Sequence, residues 1–177
     1  MAFHDTSVEV MLSAEKLQAR VAELGAQITK DYQGKELTLI GIMKGSIFFL
    51  TDLARHVDLP ITMELMGVSS YQGGVETTGE VRITSDLTKP MHGRHVIIVE
   101  DIIDTGLTMK FLLENLGARH PASVKVATLL EKPSRAKVKV QIDYKGFVIE
   151  DRFVVGYGLD YGEKFRNLPF VGVMRTD

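Results

Sequence analysis

Four consecutive apolar residues, Val96–Val99, lead directly into two adjacent carboxylates, Glu100 and Asp101. A short uninterrupted apolar run is typical of a strand that is buried on both faces, as the strands of parallel sheets are. Apolar residues at helical spacing follow from Met109 to Leu116. A buried strand that continues into a helix predicts an α/β fold.

The same alternation of strand and helix recurs along the chain. Ser13 is a candidate N-cap for an amphipathic helix that runs to about Gly34, and a second helix is predicted from Ile47. Strand-like runs are LTLIGIM, ITMELMGV, VRITSDL, SVKVATLLEK, GFVIED and FVVGYGLDYG. This order predicts a mainly parallel twisted sheet flanked by helices, with residues 1–177 forming a single domain. The polar, glycine-rich stretch Ser69–Gly79 is predicted to be a mobile loop at the tip of a long hairpin.

Composition excludes several classes of protein. A formal net charge of -2 argues against a nucleic-acid-binding protein, and the absence of cysteine excludes disulfides and thiolate metal sites and fits a reducing cytosol. No apolar run reaches the roughly 18–20 residues that a membrane-spanning helix needs, and no signal-peptide pattern opens the chain. We therefore expect a soluble, cytoplasmic protein without a membrane partner.

The acidic end of the predicted strand points to a ligand. In open α/β sheets, ligands bind beyond the carboxyl ends of strands, which is where Glu100 and Asp101 are expected. The segment Asp104–Thr108 would begin the next helix, whose free N–H groups favour phosphate. Paired carboxylates suit sugar hydroxyls or a hard cation such as Mg²⁺. Together these features predict a site for a sugar phosphate carrying magnesium.

Other interpretations of these residues remain open from the pattern alone. Glu100 and Asp101 also fit solvated loop acids, and Asp104 fits a simple N-cap. The chain has no G-x-x-x-x-G-K-[ST] motif, and the turn 156–158 lacks the third glycine of a dinucleotide-binding fingerprint. A phospho-acceptor receiver domain also carries an acid pair at a strand end.

The segment VIIVEDIIDTGLT resembles the phosphoribosyl pyrophosphate motif of type I phosphoribosyltransferases, and the form VEDIIDTG resembles the hypoxanthine(-guanine) branch. The resemblance extends through GIMKGS, SSY, LLEK and FVVGYGLDYGEKFRNLP. It implies the family's fold, with a small hood and a flexible lid hairpin. It also implies a purine salvage reaction, in which a 6-oxopurine displaces pyrophosphate from C1 of phosphoribosyl pyrophosphate through an oxocarbenium-like transition state, giving IMP or GMP.

The resemblance assigns roles to the acidic segment. Asp104 matches the general base that takes the proton from N7 of the purine. Glu100 and Asp101 match the acids that hold the ribose hydroxyls, directly or through Mg²⁺. The cradle for the 5′-phosphate matches five consecutive residues: Asp104, Thr105, Gly106, Leu107 and Thr108.

Pyrophosphate binding is implied at three separate places. Lys44 and Gly45 match the family's pyrophosphate loop, in which the peptide before the lysine, here Met43–Lys44, is often cis. Arg166 matches an arginine whose guanidinium fork binds pyrophosphate. Ser70 and Tyr71 match the Ser-Tyr at the base of the closing lid.

The purine site is implied by a further set of residues. Lys132 matches the lysine that donates to O6 of the purine. Because a lysine can only donate hydrogen bonds, it favours a purine with a 6-oxo group over one with a 6-amino group. Phe153 matches the aromatic ring that stacks on the base, Val154 a backbone contact to its edge, and Ile102 the opposite wall. Asp160 matches an acid that holds a second Mg²⁺.

The resemblance leaves some alternatives. Hypoxanthine, guanine and xanthine all remain compatible with the sequence, and the family is usually dimeric or tetrameric. Taken alone, Lys44, Lys132 and Arg166 also fit ordinary surface residues, and Phe153 fits a core residue. A non-catalytic regulator of the same fold, which binds phosphoribosyl pyrophosphate, is the alternative function.

Overall fold

The computed structural model describes residues 8–70 and 81–175. Tyr71 and the rest of the predicted lid tip lie outside these residues, and Ser70 is described through its backbone alone. The strands are β1 Val8–Leu12, β2 Leu37–Met43, β3 Ile61–Ser70, β4 Val81–Ser85, β5 His95–Ile103, β6 Ser123–Glu131, β7 Tyr144–Val148, β8 Val154–Val155 and β9 Val171–Met174. The α-helices are α1 Ala14–Asp31, α2 Ile47–His56 and α3 Leu107–Gly117, and a 3₁₀ turn covers Pro133–Arg135.

Six strands form the main sheet, in the order β4-β3-β2-β5-β6-β7. The four neighbouring pairs from β3 to β7 are parallel, and β4 pairs with β3 antiparallel. The predicted mainly parallel sheet is therefore confirmed. The strands β3 and β4 are the two arms of the predicted hairpin. Because neighbouring parallel strands point the same way, the carboxyl ends of β2 and β5 meet at one edge of the sheet.

Helices cover both faces of this sheet. Ser13 caps α1 by accepting the Lys16 N–H at 3.3 Å, as the sequence predicts. Buried residues of α1 and α2 pack with Ile97 and Val99 of β5 in one cluster. The alternate β5 residues, Val96 and Ile98, pack against α3 in the other. Burial on both faces explains why β5 is apolar at every position of its central run.

A small antiparallel sheet, β1-β9-β8, forms a separate layer that we call the hood. It matches the small hood implied by the resemblance. The strand predicted in FVVGYGLDYG is present but shorter than the run, because only Val154 and Val155 form a strand. Gly156 and Gly158, with φ of 95° and 105°, turn the chain sharply after them.

The end of β5 differs from the sequence prediction. The strand continues to Ile103 because β6 stays paired with it as far as Glu131, so Glu100 and Asp101 lie within the strand rather than after it. Helix α3 begins at Leu107, with Gly106 at its N-cap in the left-handed region, φ 82°. Asp104 is therefore not the cap of α3.

Among the described residues, no helix combines the length and apolarity needed to cross a membrane.

Candidate active site

The pyrophosphate-loop candidate lies against the acid pair at the carboxyl ends of β2 and β5. The Met43–Lys44 peptide bond that ends β2 is cis, as the resemblance implies. A Cβ atom at Gly45 would overlap the Oδ2 atom of Asp101. Glycine at this position therefore allows the loop to contact the Asp101 carboxylate directly.

Glu100 and Asp101 form a crowded pair of carboxylates. Glu100 is 9% exposed, and its Oε1 accepts the Asp101 N–H at 3.3 Å. Burial, reinforced by the neighbouring Asp101, raises the pKa of Glu100 well above its usual range. Burial also raises the pKa of the Asp101 carboxyl, although Arg166 acts in the opposite direction. Among the described residues neither acid forms an ion pair within 4 Å, and two adjacent desolvated acids are a donor set that fits a hard cation.

These two acids are nevertheless an incomplete cage for a metal. Within residues 8–70 and 81–175 no group of three or more His, Cys, Asp or Glu side chains is placed to hold a metal ion. Mg²⁺ commonly binds through one or two carboxylates and takes its remaining oxygens from water and substrate phosphates. Glu100 and Asp101 fit a magnesium that arrives with a ligand.

The phosphate-cradle candidate surrounds a small cleft directly beyond the acids. Its lining includes Glu100, Ile102, and the residues from Ile103 to Gly106. Thr108 in the first turn of α3 completes the wall. The amides of that turn have no partner within the helix, so they can donate to an anion. At Gly106 a Cβ atom would meet the carbonyl oxygen of Val138, so glycine also permits this packing.

Asp104, at the opening of the cleft, has an arginine partner that the sequence pattern does not reveal. Arg135 Nε lies 2.7 Å from Asp104 Oδ1. The two side chains are 45% and 38% exposed, so the carboxylate remains accessible from the cleft. Arg135 Nη1 also lies 3.5 Å from Asp151 Oδ2.

The candidate residues of the purine site differ in how exposed their side chains are. Lys132 is 8% exposed, which excludes a freely solvated lysine, and its Nζ lies 3.7 Å from Asp151 Oδ1. Phe153 is 52% exposed, which excludes a core residue, and its ring packs edge-on against Tyr161 with centroids 5.6 Å apart. Val154 is buried in the hood, and Ile102 is partly buried against the main core.

A further acid, Glu163, forms ion pairs with both Lys44 and Arg166, and Arg166 also pairs with Asp160. Lys44 Nζ lies 2.7 Å from Glu163 Oε2, and Arg166 Nη2 lies 3.2 Å from Glu163 Oε1. Arg166 Nη2 also lies 2.9 Å from Asp160 Oδ1, and its Nη1 donates to the Gly158 carbonyl at 2.7 Å. Lys44 and then Arg166 lower the pKa of Glu163.

The turn that follows the hood strand β8 also contacts the pyrophosphate-loop candidate. A Cβ atom at Gly158 would overlap the carbonyl oxygen of Gly45. The preceding residue, Tyr157, donates its hydroxyl to Asp52 Oδ2 of α2 at 2.6 Å, and Gln18 of α1 donates to the same oxygen at 2.7 Å. These bonds fix the turn that contacts Gly45.

Comparison with known proteins identifies the family. The family model of the phosphoribosyl transferase domain matches residues 7–162. The chain belongs to this family. A phosphoribosyltransferase of Streptococcus pneumoniae, named hypoxanthine-guanine phosphoribosyltransferase, is 49% identical over 169 residues, which cover 96% of this chain and 94% of the relative. A Staphylococcus aureus protein of the same name is 47% identical over 174 residues, covering 98% and 97%.

Solved structures of phosphoribosyltransferases have the same fold. The crystal structure of a Staphylococcus aureus hypoxanthine phosphoribosyltransferase superposes with a TM-score of 0.91 at 48% identity, covering 94% of this chain and 91% of that one. A Bacillus anthracis hypoxanthine-guanine phosphoribosyltransferase gives a TM-score of 0.88 at 43% identity, covering 95% and 97%.

The structure therefore brings together most of the predicted residues of a phosphoribosyltransferase site. It also adds three that the sequence pattern does not reveal: Arg135, Asp151 and Glu163. Each is a charged residue near a recognised motif, but nothing in its spacing distinguishes it from a surface charge. Only the fold reveals which opposite charge each one contacts.

Proposed function

We propose that this phosphoribosyltransferase transfers the 5-phosphoribosyl group from phosphoribosyl pyrophosphate to hypoxanthine and guanine, giving IMP or GMP and pyrophosphate in purine salvage. One observation carries the proposal. The buried carboxylate of Glu100, the accessible carboxylate of Asp104 and the start of α3 line one small cleft, and Asp101 lies next to Glu100, its N–H donating to Oε1. The names of the relatives, which match nearly the whole chain, support the same reaction.

The phosphoribosyl half of the substrate is proposed to bind along this cleft. The 5′-phosphate accepts hydrogen bonds from the backbone of Asp104–Thr108 and from the hydroxyls of Thr105 and Thr108, where the dipole of α3 also favours an anion. Glu100 and Asp101 hold the ribose hydroxyls, directly or through Mg²⁺. The bound metal would neutralise charge on the pyrophosphate as it leaves.

The pyrophosphate half is proposed to lie between the hood and the loop that begins at the cis Met43–Lys44 peptide bond. The backbone N–H groups around Gly45 donate to its oxygens, and Lys44 and Arg166 supply positive charge. Ser70 and Tyr71 are proposed to cover it when the lid closes and excludes water from the oxocarbenium-like centre. Asp160 is proposed to hold a second Mg²⁺; its Oδ1 now pairs with Arg166, which the ion would replace.

The purine is proposed to stack on Phe153, with Ile102 on the opposite face and the backbone of Val154 at its edge. Lys132 donates to O6. As a purine nitrogen attacks C1 and the C1–oxygen bond to pyrophosphate breaks, Asp104 accepts the proton from N7. A non-catalytic regulator would need the phosphate cradle but not a lysine buried beside the purine site, so the enzyme is the better proposal.

The decisive experiment is a direct assay. The protein is mixed with Mg²⁺ and phosphoribosyl pyrophosphate, and hypoxanthine, guanine, xanthine and adenine are compared by absorbance. We expect turnover of the 6-oxopurines, its loss when the metal is chelated, and little turnover of adenine. Absence of turnover with all four bases would overturn the proposal.

We further propose that the chain acts in the cytoplasm as one phosphoribosyltransferase domain over residues 1–177, assembled as a homodimer or homotetramer. Four large apolar side chains on α2 and β3 support self-association, because they are 37–44% exposed: Ile47, Phe48, Met63 and Leu65. Light scattering during size-exclusion chromatography should give a mass of two or four chains. A monomer at micromolar concentration would contradict the assembly without affecting the proposed reaction.

A further inference from the structure

The segment 132–138 binds the end of β5 at three successive residues, 103–105. Its backbone amides donate to the carbonyl oxygens on either side of Asp104, while its arginine side chain binds the carboxylate of Asp104 itself. The bonds are Lys132 N to Ile103 O at 3.0 Å, Arg135 Nε to Asp104 Oδ1 at 2.7 Å, and Lys137 N and Val138 N to Thr105 O at 2.9 and 3.1 Å. Arg135 is thus held between two backbone attachments.

The same arginine is linked through Asp151 to Lys132. Arg135 Nη1 lies 3.5 Å from one oxygen of Asp151, and the other oxygen of Asp151 lies 3.7 Å from Lys132 Nζ. A continuous row of alternating charges therefore runs from Asp104 through Arg135 and Asp151 to Lys132. Its two ends are the residues assigned to N7 and to O6 of the purine.

Resting on the proposed function, we propose that Arg135 is a positioning residue that sets the orientation of the Asp104 carboxylate for proton transfer. Its Nε binds Oδ1 and fixes the plane of the carboxyl group. No other hydrogen bond to the Asp104 carboxylate occurs among the described residues, so Oδ2 is available to a ligand in the cleft. Asp151 binds both Arg135 and Lys132. The distance between Asp104, the acceptor for N7, and Lys132, the donor to O6, is therefore held constant.

A stabilising surface ion pair is the simpler interpretation, and it makes a different prediction. Half-exposed ion pairs contribute little to the free energy of unfolding. An interaction that fixes a reacting group acts on turnover instead, because a small misplacement of that group slows the reaction strongly. Arginine is suited to this role, since its planar fork binds two carboxylates in fixed directions and a lysine ammonium does not.

The first test is Arg135→Met, which keeps the length of the aliphatic side chain. We expect kcat to fall about ten- to a hundredfold, with the Kd for phosphoribosyl pyrophosphate nearly unchanged and the melting temperature close to that of the parent. Arg135→Lys should recover only part of the loss. Arg119→Met is the matched control, because Arg119 pairs with Asp86 at 2.8 Å at another place on the surface. An unchanged kcat in Arg135→Met overturns the inference.

The second test separates positioning of the base from a general structural effect. In the Asp104→Asn background, Arg135→Met should cause no further loss of kcat, because the base that Arg135 orients is already absent. Multiplication of the two losses would show that Arg135 acts independently of Asp104 and would overturn the inference. If Arg135→Met does not fold, Arg135→Lys carries the same cycle. Absence of turnover in the parent protein would instead overturn the proposed function itself.

Discussion

Lys44 Nζ and Glu163 Oε2 are 2.7 Å apart, which joins the pyrophosphate loop to the turn that follows the hood strand β8. The other oxygen of Glu163 lies 3.2 Å from Arg166 Nη2. One carboxylate therefore contacts both of the cations assigned to pyrophosphate. Under the proposed function, Glu163 therefore competes with pyrophosphate for these two cations.

Replacing Glu163 by glutamine should tighten the binding of pyrophosphate. The substitution removes the negative charge that competes for Lys44 and Arg166 but keeps the size of the side chain. Because the pair is exposed, we expect a modest effect, about a two- to fivefold lower inhibition constant for pyrophosphate. Glu23→Gln is the control, since Glu23 pairs with Arg20 on α1. Weaker inhibition by pyrophosphate would mean that Glu163 holds the two cations in place for the ligand.

Asp104→Asn should separate chemistry from binding. The amide keeps the shape of the side chain but cannot accept the purine proton, so we expect kcat to fall by about 10²- to 10⁴-fold. Binding of phosphoribosyl pyrophosphate, measured by calorimetry, should remain close to that of the parent. A large loss of affinity with normal turnover of the bound complex would make Asp104 a structural residue of the cradle.

The sequence predicted the elements that depend on periodic burial. β5 is apolar at successive positions because both of its faces are covered, and α1 carries a regular stripe after a serine cap. Such patterns are local and can be read without the fold. The position of Asp104 outside the helix cap could not be read in this way, because it depends on pairing between β5 and β6 and on the left-handed Gly106.

The sequence motifs also predicted most of the candidate-site residues, but not the contacts between them. The neighbours of Lys44 and Asp104, which are Glu163 and Arg135, lie 119 and 31 residues away along the chain. Local patterns contain no information about such partners. The proximity of Gly45 to Gly158 is equally a consequence of how the hood packs on the main sheet.

Lys132→Gln should weaken the preference for 6-oxopurines. The glutamine amide offers both a donor and an acceptor, whereas lysine only donates. Loss of a hydrogen bond from a charged donor should raise the KM for hypoxanthine about ten- to a hundredfold, with a smaller change for adenine. Lys125→Gln, on the same strand β6 but remote from the cleft, is the control. An equal loss for both bases would show that Lys132 does not read position 6.

Gly158→Ala should disturb the pyrophosphate loop without touching the substrate. The added Cβ would overlap the Gly45 carbonyl oxygen, so the loop or the hood must move. We expect a higher KM for phosphoribosyl pyrophosphate. Gly34→Ala is a matched control, because Gly34 also has a positive φ, 73°, but an added methyl group there would meet no atom within 4 Å. The control should show only the cost of the backbone conformation, in melting temperature rather than in KM.

Glu100→Gln should make the metal-free protein more stable while weakening its ligand binding. Burial and the adjacent Asp101 raise the pKa of Glu100 in the folded protein. As the pH rises from the ordinary carboxyl pKa through this raised value, the unfolded chain loses its proton first, so Glu100 progressively lowers the free energy of unfolding. Glutamine removes this penalty. The melting temperature should therefore rise by a few degrees at pH 8 and hardly at all at pH 4, measured without Mg²⁺.

Binding of Mg²⁺ and phosphoribosyl pyrophosphate should weaken in the same Glu100→Gln variant. The control Glu114→Gln, which alters an exposed pair on α3, should change neither the melting temperature nor the binding. A lower melting temperature at pH 8 would show that the charged carboxylate stabilises the fold.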